Sequence, residues 1–126
     1  MSRFLLLALA AVALPATGHA QTMNAESFHA RATALKKKGP MALFSGGEIK
    51  NLMAEGQAAG KAAGARYDAD KKAGRPTRFC PPPGKREMGS TEFMKRLSAI
   101  PVADRRRIDM TEAMLRILTA KYPCPR

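Results

Sequence analysis

Arg78-Phe79-Cys80-Pro81-Pro82-Pro83-Gly84 places a cysteine directly before three prolines. The only other cysteine, Cys124, lies in Tyr122-Pro123-Cys124-Pro125-Arg126, again flanked by prolines. How these two corners are read decides the fold. The prolines fix backbone φ and lower the conformational entropy of each corner. If the cysteines pair, they tie a mid-chain loop to the end of the chain.

The start of the chain indicates whether they pair. Arg3 precedes an unbroken apolar run from Phe4 to Leu14, Pro15 ends it, and Gly18-His19-Ala20 supplies small residues for signal-peptidase recognition. This pattern predicts a secretory signal peptide over residues 1–20, cleaved after Ala20, and the run is too short for a membrane span. Leu14-Pro15-Ala16-Thr17-Gly18 spells a sortase-type motif, but at the wrong end of the chain, and reads as coincidence. Residues 21–126 then form a single small domain, expected in the periplasm or secreted. In an oxidising compartment a structural Cys80–Cys124 disulfide is the expected use of two cysteines. Closing a loop of this length adds about 4 kcal/mol by the chain-entropy relation. A metal site would call for more histidine or cysteine nearby, and a redox pair for Cys-x-x-Cys.

Outward from the two corners, the pattern is helical. Asn24 caps a first helix with Phe28, Ala32 and Leu35 on one face and Lys36-Lys37-Lys38 in the last turn, where cations suit the helix dipole. Gly39-Pro40 stops it. Met41 to Phe44 reads as a short apolar linker packed into the core. Ser45 and Glu48 have capping-box spacing and open a long helix over residues 46–72. Its predicted inner stripe is Ile49, Leu52, Met53, Gly56, Gly60, Ala63, Gly64 and Tyr67. Glycines cost helix stability, so the period-four series Gly56, Gly60, Gly64 predicts close approach of a neighbouring helix of the same chain.

A proline- and glycine-rich loop spans Arg75 to Gly89. Ser90 or Thr91 caps a third helix carrying Phe93 and Leu97. Pro101 breaks it and opens a short helical turn through Arg107. Asp109 with Glu112 starts a last helix with Met110, Ala113, Met114, Ile117, Leu118 and Tyr122 facing inward. Valine and isoleucine are scarce and period-two alternation is absent. The fold class is therefore all-α: a small bundle of about four helices closed by one disulfide.

From Tyr67 onward the chain resembles the Rap/Tai family of immunity proteins associated with type VI secretion. The resemblance rests on Phe79-Cys80-Pro81 with Gly84, the short helix with Phe93 and Leu97 ending near Pro101, and the terminal Tyr122-Pro123-Cys124. It covers roughly residues 56–124. Family members usually carry upstream cysteines, one just before a Gly-Tyr pair on the long helix; here AEGQAAGKAAGARY has none, so packing alone holds that helix. The resemblance implies an exported protein that neutralises a periplasmic effector by covering its active site, with no chemistry of its own.

The residues themselves offer no catalytic set. His29 is the only histidine after residue 20, Asp68 and Asp70 lie on different sides of a helix, and neither cysteine is expected to be free. The sequence reads as non-enzymatic, with no cofactor and no metal ligands. The methionines fall mostly on inner stripes, where they fill irregular gaps.

The full chain carries a net charge of +12. Export, the absence of tryptophan and the spread of basic residues argue against a nucleic-acid role. The basic clusters admit two readings, a solvated surface or a contact for an acidic partner. In the second reading Arg75, Arg78, Lys85 and Arg86, grouped around the rigid prolines, are the candidate partner-binding residues, since a stiff loop loses little entropy on binding. A basic cell-envelope stress or structural protein, binding anionic surfaces or unfolded clients, is the alternative function.

Overall fold

The computed structural model describes residues 23–84 and 87–126. The predicted signal peptide, like Lys85 and Arg86, lies outside the described residues. The helices are α1 (Ala25–Lys37), α2 (Gly46–Lys72), α3 (Ser90–Ala99), the short α4 (Val102–Arg105) and α5 (Met110–Lys121), with a 3-10 segment, Gly39–Ser45, between α1 and α2. The all-α bundle is thus as expected, and Cys80 is joined to Cys124 across 44 positions of sequence.

Local chemistry accounts for most boundaries. The Asn24 side chain accepts hydrogen bonds from the amides of Glu26 and Ser27 and so caps α1. Asp109 does the same for α5 through the amide of Glu112. The two helix starts are also stitched together: the amide of Met110 donates to the Met23 carbonyl at 2.8 Å, and the amide of Ala25 to the Ile108 carbonyl at 3.0 Å. Gly39, at φ +54°, and Gly74, at φ +68°, take the left-handed conformation that ends α1 and α2.

α5 is the central element, with Met110, Ala113, Met114, Leu115 and Ile117 all buried. α2 packs chiefly on α5 through Leu52, Ala59 and Ala63, and α3 packs on it through Leu97. α1 spans the bundle and touches α2, α3, α4 and α5. Phe28 on α1 meets Phe93 on α3 edge to face, with ring centres 5.8 Å apart.

Four expectations give way. Met41, Leu43 and Phe44 do not pack inward: they are 62%, 81% and 85% exposed. Their 3-10 segment sits at the tip of the α1–α2 hairpin and packs chiefly on those two helices, which leaves these side chains uncovered. The Ser45–Glu48 capping box does not form either. The 3-10 segment runs straight into α2, so Ser45 does not stand at an open helix start. Its hydroxyl accepts from Lys38 Nζ, and the Glu48 carboxylate is taken by the Arg31 guanidinium. Neither Ser90 nor Thr91 caps α3: the helix already begins at Ser90, and Gly89 before it has no side chain to offer.

The fourth concerns the glycine series. Nothing lies within 4 Å of where a Cβ would stand on Gly56, Gly60 or Gly64. No neighbouring helix approaches them. They face open space, and Met53, which the same predicted inner stripe included, is 59% exposed because the same face of α2 is left uncovered.

Candidate functional site

In the predicted contact loop, the two described basic residues, Arg75 and Arg78, are already engaged in ion pairs. Phe79 is buried and stacks on Tyr67 with ring centres 5.1 Å apart, and the amide of Cys80 donates to the Tyr122 carbonyl at 2.8 Å. The disulfide and this hydrogen bond hold the loop against the end of α5. Arg78 reaches α5 and grips Glu112 with two nitrogens, at 2.7 and 2.9 Å, the bidentate geometry that makes guanidinium–carboxylate pairs strong. Arg75 pairs with Asp70 at 3.0 Å while staying largely exposed. Lys85 and Arg86 fall outside the described residues. The disulfide residues therefore come together as predicted. Of the partner-binding residues, Arg78 serves the fold, and Arg75 sits apart from it at the end of α2.

What the sequence reading missed is an apolar cleft of about 660 Å³ between α2 and α3. Both helices pack on α5, but they make almost no contact with each other. Met114 and Leu118 of α5 form the floor between them. The α2 wall is Ile49, Met53, Gly56, Gly60 and Gly64, and the α3 wall is Ser90, Phe93 and Met94. Phe28 and Leu35 of α1 line the cleft beside the first half of α2, and Phe79 with Tyr122 line it beside the last turns. Its volume lies in the range of ligand-binding clefts, and its mostly apolar lining with a few polar side chains (Gln57, Glu87, Ser90) is typical of them.

The glycines explain why the cleft is there. Each lies on the α2 wall with room for a Cβ, so alanine would narrow the cleft without clashing. Glycine inside a helix costs about 0.5–1 kcal/mol relative to alanine, and no contact within this fold recovers that cost. Period four was the sequence signal for this face. It was misread because spacing identifies a face, not what covers it.

The cleft lining is mostly apolar. Among the described residues no group of three or more His, Cys, Asp or Glu side chains converges to hold a metal ion. His29 lies outside the cleft lining, 2.9 Å from the Ser98 hydroxyl, and its pKa is lowered mainly by burial and then by the charge of Arg105. No described helix is long and apolar enough to cross a membrane.

No protein-family model, curated protein or solved structure matches this chain.

Proposed function

We propose that the protein is an exported binding module that captures one target protein and blocks it by occlusion, in the manner of the immunity proteins that its C-terminal half resembles. The observation that carries this reading is the open cleft: a disulfide-locked bundle keeps an apolar slot open along α2 at a cost of three helix-interior glycines. A rigid frame around a preformed apolar slot lowers the ordering cost of association. Export follows from Arg3, the apolar run Phe4–Leu14 and Gly18-His19-Ala20, and the disulfide fits the periplasm or the exterior.

A second reading, a basic envelope protein that coats anionic surfaces, draws on the net charge and on exposed lysines such as Lys36, Lys37 and Lys50.

The test is capture on oxidised residues 21–126 from envelope extract at physiological and high salt, followed by mass spectrometry and reconstitution from purified proteins. A Cys80→Ser/Cys124→Ser form runs beside it. One dominant protein, retained in high salt and weakened by loss of the disulfide, is the expected result. A broad set of anionic material that washes off with salt overturns the proposal in favour of the second reading.

A further inference from the structure

The cleft has the shape of a missing helix. α2 and α3 flank a slot floored by α5, the position that another helix would fill in a closed bundle. The α2 wall from Ile49 to Gly64 extends about 22 Å at the rise of an α-helix, the length of a helix of about 15 residues. Glycines four apart flatten the row that packing helices use as a ridge, so an incoming backbone can come close to α2 along the whole run Gly56–Gly64.

The charge around the slot defines the occupant further. Lys50 and Lys61 lie on the flank of α2 next to the cleft wall, three residues before Met53 and four after Gln57. Lys36 follows Leu35 on α1, and Lys71, over the Tyr67 ring at 5.5 Å, stands about two turns beyond the end of the wall. Lys36, Lys50 and Lys61 make no ion pair among the described residues. Asp68, on the same α2 flank, and Glu87, in the lining, are the acidic exceptions. A second copy of this chain would bring a like net charge and the same lysines to the slot, which opposes self-association.

We propose that the cleft receives an amphipathic α-helix of the target protein, its apolar face seated on Met114 and Leu118 and its flanks bearing aspartate or glutamate opposite Lys50, Lys61 and Lys36. The glycine row sets the depth of this helix and the lysines set its charge pattern. This proposal rests on the binding reading above and assigns it a surface, a partner element and a recognition rule.

The experiment uses oxidised residues 21–126 and synthetic 16-residue helical probes with leucine at i, i+3, i+7 and i+11. One probe has glutamate flanks, a second lysine flanks, and a third the glutamate composition with its leucines scrambled. The glutamate-flanked probe should bind saturably, and about tenfold more tightly than the lysine-flanked one, as expected from two or three exposed charge pairs. Amide NMR shifts should cluster on α2, α3 and α5. Gly60→Leu should abolish binding while leaving the circular dichroism unchanged. Lys50→Glu/Lys61→Glu, which leaves the cleft shape intact, should reverse the probe preference.

Equal binding of the two flanked probes, or binding unaffected by Gly60→Leu, overturns the proposal. So does displacement of the glutamate probe by a fatty acid that binds more tightly, or a dimer in sedimentation equilibrium that buries the slot. If the captured target is still held by Gly60→Leu protein in high salt, the cleft assignment falls and the binding reading stands. If no target survives high salt, the binding reading itself falls.

Discussion

Arg105 shows how far one residue's role can lie from its appearance in sequence. In Arg105-Arg106-Arg107 it reads as one of three solvated charges, yet it is 4% exposed. Its Nε donates to Glu26 at 2.6 Å, and its Nη1 donates to the carbonyls of Ile100 at 2.6 Å and Ser98 at 3.2 Å. Those carbonyls lie at the C-terminal end of α3, where backbone acceptors lack helical partners and a cation is favoured. The Glu26 carboxylate is in the first turn of α1, where an anion is favoured, so one guanidinium joins two helix ends. Arg105→Ala leaves these acceptors and Glu26 without a partner and should cost about 3 kcal/mol by denaturant unfolding. Arg105→Lys should recover only part of this, because an ammonium lacks the planar fork. A loss under 1 kcal/mol for Arg105→Ala would place this side chain among ordinary surface charges. Gly60→Ala runs the other way. With negative φ and open space around the Cβ position, it should raise stability by about 0.5–1 kcal/mol, and destabilisation instead would mean that the α2 wall is closed in solution.

At the scale of elements, α2 illustrates what sequence can and cannot disclose. Its C-terminal limit follows from Ala73-Gly74, whereas its start was read from the Ser45–Glu48 spacing and falls at Gly46 although that capping box does not form. The capping residues Asn24 and Asp109 were legible for the same reason: a cap is a short-range match between a side chain and the next two or three amides. Coverage is different in kind. Met41–Phe44 looks like core by composition, and Gly56–Gly64 looks like a helix contact by spacing, but burial depends on what arrives from elsewhere in the chain. Nothing arrives at either place. Phe44→Ser should therefore change stability by less than about 0.5 kcal/mol, whereas the equally apolar Leu97→Ala, fully buried, should cost about 2–5 kcal/mol. Similar costs for the two would show that the 3-10 segment is covered after all. The Cys80–Cys124 pairing was legible because two cysteines leave one intramolecular choice. Its removal as Cys80→Ser/Cys124→Ser should lower stability by about 4 kcal/mol, read as a shift in denaturant midpoint.

For the molecule as a whole, the carboxylates and the one described histidine set a common response to acid. Glu26 is held below its ordinary 4.5 chiefly by the hydrogen bond from Arg105, Glu48 by that from Arg31, Glu92 by those from Lys121 and Arg96, and Glu112 by that from Arg78. His29 is also lowered, from 6.5, by burial and then by the nearby Arg105 charge. In every case the unfolded chain binds the proton more readily than the folded one, so protonation favours unfolding. The stabilising contributions are complete above the unfolded values and are lost as pH falls. His29 goes first, as pH drops through about 6.5, and the four glutamates follow below 4.5. Arg31 and Arg78 are shifted upward by their hydrogen bonds to Glu48 and Glu112 and stay charged throughout this range. The growing positive charge of a chain already at +12 adds self-repulsion in the same direction. Thermal melts should therefore show a plateau from neutral to mildly alkaline pH, a shallow decline below 6.5 and a steeper one below 4.5. His29→Gln should remove the shallow stage and leave the steep one. Constant stability down to pH 4 would mean that the ion pairs Arg31–Glu48, Arg105–Glu26, Arg78–Glu112 and Lys121–Glu92 do little to hold the elements together, leaving the apolar core and the disulfide to do so.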